Sequence, residues 1–254
     1  MEDLEKVAAL WGYPVVIKTT TGGYDGKGNY LLKDADDLEN AFGHFGSNQI
    51  MAERFIKFKA ETSVLACRRE NGQIVVYPSG ENVHEDGILR QTLVPADISE
   101  TAETRSRRIS EKIMKIFDGI GMFCVELFVD YADNIYVNEI APRPHNSGHY
   151  TIEGCVVSQF AQHIRAVAGL PLGDTSLRSP AVMMNVLGEG KTGKASVSGV
   201  DDALAIDGVF VHIYGKENSV NKRKMGHITA IAGSLPQARR NCEDAAKSIR
   251  IVGV

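Results

Sequence analysis

Ten consecutive residues, Thr20-Thr21-Gly22-Gly23-Tyr24-Asp25-Gly26-Lys27-Gly28-Asn29, carry four glycines. Glycine gives up more backbone freedom on ordering than any other residue, so this stretch is a loop. A β-branched strand over 14–19 precedes it and a short strand over 30–32 follows. A loop held between two strands differs from the strand–turn–helix of a Walker phosphate site. The GxxxxGK[ST] pattern is absent, and no helix follows to donate its N-terminus. Glycines still let backbone N–H groups approach an anion closely, and Lys18 and Lys27 add positive charge beside them. By composition alone the same loop is equally a plain hairpin tip, because turns collect glycine.

The remaining elements alternate without strict βαβ order. A helix over 2–12, with Leu4, Val7, Ala8 and Leu10 on one side, stops at Gly12 before Tyr13-Pro14,. Residues 34–45 form a helix capped by Asp34 or Asp36, and 50–55 a strand,. Strands over 61–69 and 73–78 flank Glu70-Asn71-Gly72, a strong hairpin signal,. A surface helix over 101–120 carries Ile109, Ile113, Ile116 and Phe117 on one face,. A second hairpin, 122–130 with 134–140, turns at Tyr131-Ala132-Asp133. A helix over 151–169, strands over 181–187, 209–214 and 228–232, and a closing helix over 235–250 complete the chain. The pattern is α+β. Pro171-Leu172-Gly173-Asp174, leading to Ser179-Pro180, is the best boundary, separating 1–173 from a smaller β-rich domain over 180–254.

Composition removes several classes of function. With 254 residues, 43% hydrophobic and 24% charged, the chain is an ordinary globular sequence that can bury a core unaided,. A net charge of −4, from 28 basic and 32 acidic residues, offers no broad footprint for nucleic acid,. No apolar run spans a bilayer, and the charged start Met1-Glu2-Asp3-Leu4-Glu5-Lys6 lacks the core of a secretion signal,. Cys67, Cys124, Cys155 and Cys242 are scattered without metal spacing, which reads as reduced thiols in a cytoplasmic protein,.

Two further segments carry chemistry. Glu126 interrupts the apolar run Cys124-Val125-Glu126-Leu127-Phe128, and Asn138-Glu139 ends the partner strand of the same hairpin. Folded together, Glu126 and Glu139 come to one end of the ribbon, where two carboxylates suit magnesium, a hard cation. The bland alternative is one edge carboxylate per strand, an uncomfortable fit for a charge among apolar neighbours. The loop Ile140-Ala141-Pro142-Arg143-Pro144-His145-Asn146-Ser147-Gly148-His149 is stiffened by two prolines and displays Arg, His, Asn, Ser and His in succession. Such a loop, with five hydrogen-bonding heads of four kinds, suits a polar or anionic substrate. His145 and His149 have i, i+4 spacing, but Pro144 breaks any helix there, so zinc is rejected. Lys216 and Lys222-Arg223-Lys224 are candidate phosphate anchors, or a solvated surface. No GxSxG elbow occurs.

Together these segments resemble the ATP-grasp superfamily, and within it the carboxyaminoimidazole ribonucleotide synthases of purine biosynthesis. The resemblance rests on Gly12-Tyr13-Pro14-Val15-Val16-Ile17-Lys18, Gly23-Tyr24-Asp25-Gly26-Lys27-Gly28, Glu53-Arg54-Phe55-Ile56, Glu61-Thr62-Ser63-Val64, Glu81-Asn82-Val83-His84, the 138–149 block and Met225-Gly226-His227. It implies an ATP-grasp fold, two α+β lobes clamping ATP, with a small β-rich C-terminal domain. The resemblance also implies an N-terminal Rossmann-like domain in the family, which would be missing from a chain that starts at the helix before Lys18. Lys18 would contact nucleotide phosphates, under a loop formed by Gly23, Tyr24, Asp25, Gly26, Lys27, Gly28 and Asn29. Glu53, Arg54, Phe55 and Ile56 would read adenine, Glu61 the ribose, and His84 a further part of the nucleotide. Glu126 and Glu139 would hold magnesium, with manganese as the alternative, and Asn138 would sit beside the triphosphate. Tyr24, Asp25, Arg143, His145, Asn146, Ser147, Lys216 and Arg223 would hold 5-aminoimidazole ribonucleotide and the bicarbonate-derived intermediate. Arg143 and His145 would be catalytic. The implied reaction turns ATP and bicarbonate into carboxyphosphate, whose carboxyl group passes to the ribonucleotide amine. The resemblance further implies a homodimer and coupling to a carboxyaminoimidazole ribonucleotide mutase, and no nucleic-acid or membrane partner. Other ATP-grasp ligases, of the formate-dependent glycinamide ribonucleotide transformylase or biotin carboxylase type, and a non-catalytic ATP-binding fragment are the competing readings.

Overall fold

The computed structural model describes residues 2–22 and 28–254. Gly23, Tyr24, Asp25, Gly26 and Lys27, the heart of the glycine-rich loop, lie outside the described residues. The chain divides into two compact units, one of residues 1–57 with the turn 84–88, the other of 58–83 with 89–254. Glu53–Ile56 thus ends one residue short of the division.

The first unit holds helix α1 (Glu2–Trp11), strands β1 (Val15–Thr19) and β2 (Asn29–Leu32), helix α2 (Leu38–Phe45) and strand β3 (Ile50–Arg54). The sheet order is β2-β1-β3, all antiparallel, with Lys18 opposite both Asn29 and Met51. Leu4 and Ala8 from α1, Val15 and Ile17 from β1, and Ala41 and Phe45 from α2 make its core. Leu10 is turned out to solvent, so the apolar face of α1 is narrower than its spacing predicts. Asp34 is the cap: its side chain accepts from the Asp37 N–H and starts a short 3-10 turn that leads into α2.

The second unit begins with β4 (Phe58–Arg68) and β5 (Ile74–Val76), the hairpin expected around Asn71-Gly72. Next come β6 (Gly80–Glu85) and β7 (Ile88–Val94), a hairpin that the sequence reading omits. Its signal is present as Asp86-Gly87, both at positive φ (52° and 74°), the conformation a two-residue hairpin turn demands,. Helix α3 (Glu100–Ile116) follows, then β8 (Gly121–Asp130) and β9 (Ile135–Ala141). The expected helix over 101–120 stops at Ile116, where Phe117 is already extended, with Gly119 and Gly121 just beyond. The expected helix over 151–169 is two pieces, α4 (Thr151–Gly154) and α5 (Gln159–Val167). Between them Cys155 is extended and bridges Leu177, and Ser158 caps α5 by accepting from the Ala161 N–H. The tail adds β10 (Ala181–Glu189), β11 (Gly193–Ser198), α6 (Val200–Leu204), β12 (Val209–Ile213), β13 (Asn218–Ser219), β14 (Lys224–Ile231), α7 (Leu235–Ser248) and β15 (Arg250–Gly253). Three of these strands, β11, β13 and β15, are short, and no periodicity announces them.

β10 pairs with β7 from Ala181↔Val94 to Met184↔Gln91, so the tail continues the sheet of β4, β6, β8 and β9. The backbone contacts therefore do not divide at Pro171–Pro180. On one side of the sheet, Val64, Val125 and Leu127 are buried against Ile113 of α3. Tyr77, Tyr150, Met122 and Met183 fill another core with Leu65 and Cys124. Tyr150 is fully buried, and its hydroxyl donates to the Pro78 carbonyl at 3.3 Å, pinning the end of the 142–149 loop to the sheet. Tyr150→Phe removes that bond and leaves the ring in place. We expect a stability loss of about 1 kcal/mol, read as a lower urea midpoint at unchanged slope.

Candidate active site

β8 and β9 place the acidic pair. Glu126 is the direct cross-strand partner of Glu139, and the next pairing is Leu127↔Val137. Asn138 is therefore the extra residue of a β-bulge, and two residues of β9 stand opposite one of β8. Val125 and Leu127 turn onto α3, so Glu126 faces the other side of the sheet, and paired residues share a face,. Ser63 of β4 is the other partner of Glu126, and Glu61 lies two positions along the same strand, on the same face. Phe128, opposite Glu61, stacks on Phe58 at 4.5 Å between ring centres.

The 142–149 loop leaves β9 directly after this pair. His145 Nε2 stands 3.5 Å from Glu126 Oε1, and its Nδ1 is 2.8 Å from the Ser147 hydroxyl. Ser147 is fully buried and also lies 3.7 Å from the Cys124 thiol. Asn146 forms a two-bond amide pair with Asn185 of β10, at 2.9 and 2.7 Å, and Asn185 donates again to the Leu89 carbonyl. Gln159, at the start of α5, bonds both backbone groups of His145. Arg143 is exposed, its guanidinium donating to the Pro144 carbonyl at 3.1 Å. The structure thus brings together Glu126, Asn138, Glu139, His145, Asn146 and Ser147 around one strand end.

The donors at this end fit a hard cation. Two carboxylates are paired across strands, with a carboxamide in the bulge beside them, an oxygen-rich set of the kind magnesium takes alongside substrate phosphates. Cys124, Glu126 and His145 also bring ligand atoms within 4.8 Å of one another. That trio does not make a soft-metal centre. Burial pushes the Cys124 thiol well above its usual range, which disfavours the thiolate that a soft metal takes as ligand,.

In the first unit, Lys18 Nζ pairs with Glu53 Oε2 at 2.7 Å, both side chains partly shielded. The two lie diagonally across β1 and β3, since Glu53 is opposite Val16. Arg54 lies over the Trp11 ring at 5.7 Å, and Phe55 and Ile56 follow β3. Gly28, at φ 90°, accepts from the Thr19 N–H and closes the mouth of the glycine-rich loop, and Asn29 opens β2. His84 lies on β6, in the turn segment grouped with this unit.

His212, Tyr214 and Glu153, to which the sequence reading gives no role, help join the loop to the tail. His149 packs on His227, at 4.7 Å between ring centres, and His227 stacks on His212 at 4.3 Å. Tyr214 bonds His227 Nδ1 at 3.0 Å and meets His149 edge-on, and His212 bonds Glu153 at 2.7 Å. Lys216 lies over the Tyr214 ring and donates to the Lys224 carbonyl. Arg223 is exposed and donates to Asn218 O. Strands β12 and β14 put His212 and His227 in register, a pairing that no sequence spacing announces.

Homology agrees with this arrangement. The ATP-grasp domain family matches residues 1–160, and the phosphoribosylaminoimidazole carboxylase C-terminal domain family matches residues 181–241. The chain belongs to the ATP-grasp family. Several of the relatives it matches are named N5-carboxyaminoimidazole ribonucleotide synthase. One, an N5-carboxyaminoimidazole ribonucleotide synthase of Staphylococcus aureus, is 40% identical over 247 residues, 94% of this chain and 62% of the relative. A phosphoribosylaminoimidazole carboxylase of Candida glabrata is 38% identical over 95% of this chain and 43% of its own length. The chain thus spans less than two thirds of both. Among solved structures, the Thermotoga maritima N5-carboxyaminoimidazole ribonucleotide synthetase superposes with a TM-score of 0.89 at 41% identity, covering 100% of this chain and 67% of that one. An Aspergillus clavatus N5-carboxyaminoimidazole synthase, in complex with ADP and 5-aminoimidazole ribonucleotide, has a TM-score of 0.87 at 33% identity, over 97% of this chain and 65% of that one.

The histidine column makes stability depend on pH. Burial first, then the neighbouring His212 and Lys224, lowers His149 to about 4. Burial, then His149 and His212, lowers His227 to about 3. Both imidazoles stay neutral in the fold but bind protons in the unfolded chain below the ordinary 6.5. Their stabilising contribution is therefore complete above pH 6.5 and falls as pH drops towards the folded values,. Urea unfolding should show stability falling as pH drops from 7, the slope steepening towards a limit of about 1.4 kcal/mol per pH unit for each histidine near pH 5. His227→Gln should flatten that slope by one histidine's share.

Proposed function

We propose that the chain carries the ATP- and bicarbonate-dependent carboxylation of 5-aminoimidazole ribonucleotide to N5-carboxyaminoimidazole ribonucleotide. The single observation that supports this most is the register pairing Glu126↔Glu139, with Asn138 bulged beside it and the rigid 142–149 loop leaving the same strand end. A bicarbonate oxygen attacks the γ-phosphorus of ATP, the β–γ bridging bond breaks, and ADP leaves with that bond's electrons. The ribonucleotide amine then attacks the carboxyl carbon of carboxyphosphate, inorganic phosphate departs, and the nitrogen gives up a proton.

In this reading the protein positions and neutralises, as phosphoryl transfer demands. Lys18 and the glycine-rich loop meet phosphate oxygens, and Glu61 meets the ribose. Glu126 and Glu139 would hold magnesium, which would supply positive charge to offset that of the transferring phosphoryl group. Arg143 stabilises carboxyphosphate electrostatically, and a closed site keeps water from hydrolysing it. His145, Asn146 and Ser147 hold the ribonucleotide and its carboxylating partner, with Lys216 and Arg223 as phosphate anchors. A soluble homodimer that passes its labile product to a mutase accompanies this reading, on the strength of the family resemblance. The match of the tail to the carboxylase C-terminal family favours this reaction over formate- or biotin-dependent ATP-grasp chemistry.

The test is release of ADP and phosphate from ATP, magnesium and bicarbonate, with and without the ribonucleotide. Stimulation by the ribonucleotide is expected. Formate replacing bicarbonate, stimulation by biotin, or ATP binding without turnover would each select a competing reading. Glu139→Gln keeps size and hydrogen bonding but removes half the charge at the cation. We expect about a hundredfold or greater loss of turnover, with stability changed by less than about 0.5 kcal/mol. Full activity in that variant rejects the metal role.

A further inference from the structure

We infer that Gln159 is a positioning residue for the substrate loop, its carboxamide setting where His145 and His149 stand. The inference rests on the functional reading above for what the loop binds, but its geometry is independent of that reading. Gln159 is fully buried at the start of α5. Its Oε1 accepts from the His145 N–H at 2.9 Å, and its Nε2 donates to the His145 carbonyl at 2.7 Å. The same Nε2 lies 3.1 Å from His149 Nδ1. An amide nitrogen has two protons, so both of these bonds are made at once, and Nδ1 of His149 is the acceptor. The assignment of oxygen and nitrogen is forced, because one end must accept from an N–H and the other must donate to a carbonyl. The carboxamide therefore takes the place of a neighbouring β-strand for His145, satisfying its N–H and C=O where no strand reaches.

Gly148 confirms how tightly the clasp is built. A Cβ at that position would lie 2.5 Å from Gln159 Oε1 and 2.6 Å from Leu65 Cδ1, so only glycine lets the loop pass over the amide. His145 in turn links the loop to the middle of β8, directly at Glu126 and through the Ser147 hydroxyl beside the Cys124 thiol. A displacement of its backbone moves an imidazole that the functional reading places on substrate. Misplacement by about 1 Å can cost on the order of a hundredfold in rate.

The same helix supplies an internal control. One turn on, Gln162 is equally buried and clasps Gly173 in the same way, with Nε2 to the Gly173 carbonyl at 2.8 Å and the Gly173 N–H to Oε1 at 2.9 Å. Gly173 lies outside the 142–149 loop. Loss of either amide removes two comparable backbone bonds from comparable depth, so stability alone does not distinguish the two. Only Gln159 touches the substrate loop.

The experiment compares the full chain with Gln159→Met, Gln159→Glu and Gln162→Met. Amide hydrogen exchange at His145–Ser147 is one readout. Calorimetric binding of 5-aminoimidazole ribonucleotide and of magnesium-ATP is the other. Gln159→Met should lose protection at His145 and bind the ribonucleotide about tenfold or more weakly, with ATP affinity unchanged. Gln159→Glu keeps the acceptor for the His145 N–H, so it should retain part of the protection and of the affinity. Gln162→Met should also melt lower than the unsubstituted chain yet keep both. Unchanged exchange at His145 in Gln159→Met, or an equal loss of ribonucleotide affinity in Gln162→Met, overturns the positioning role. Absence of ribonucleotide binding in the unsubstituted chain overturns the functional reading instead, and with it the substrate half of this inference.

Discussion

The pairing of β8 with β4 and β9 governs the rest of the second unit. It is the long central run of the sheet, from Phe58↔Asp130 to Arg68↔Gly121 on one side and Cys124↔Ala141 to Val129↔Ile135 on the other. The side-chain period of two sends Val125, Leu127 and Val129 into the cores beneath α3 and leaves Glu126 facing the other way,. A slip of one residue would bury the carboxylate and expose the valines, so hydrophobic burial itself protects the register. The bulge at Asn138 restores the pairing of Glu139 with Glu126 after the strand would otherwise have fallen out of step. The acidic end of the sheet is thus maintained by apolar packing on the opposite face.

The loop that completes this end is held by amides rather than by charges. Asn185 takes Asn146, Gln159 takes His145, and Tyr150 anchors the loop's far end. Neutral amides satisfy backbone and side-chain groups in a buried place without adding charge that would compete with an anionic substrate. The guanidinium groups of Arg143 and Arg223, by contrast, belong to exposed residues. The division of labour agrees with chemistry that asks the protein for positioning and electrostatics and for no nucleophile.

Much of this was legible in the residues. Asn71-Gly72 gave away one hairpin, and the charge at Glu126 within an apolar run marked a strand with one functional face. Pro142 and Pro144 marked a rigid polar loop. Other features misled or stayed silent. Helix α5 buries Gln159 and Gln162 while Phe160, Ile164 and Val167 are exposed, so its polar side faces inward, against the usual rule,. The Asp86-Gly87 turn was a readable signal, but Gly80–Glu85 has too few apolar positions to be seen as a strand. The histidine column needs β12 and β14 in register and His149 from a distant loop, and no window of sequence contains all three.

By itself the sequence determined the local grammar: where strands turn, where the glycine-rich loop and the proline-stiffened loop lie, and which residues carry carboxylates, imidazoles and amides. These follow from backbone preference and short-range periodicity, which act over a few residues. Tertiary structure alone decided which of those groups meet. The bulge that aligns Glu139 with Glu126 and the amide clasp of Gln159 on His145 join neighbouring elements, and the stacking of His149, His227 and His212 joins residues far apart in the chain. Their partners are selected by the register of strands and the burial of apolar faces, long-range terms that no single segment encodes.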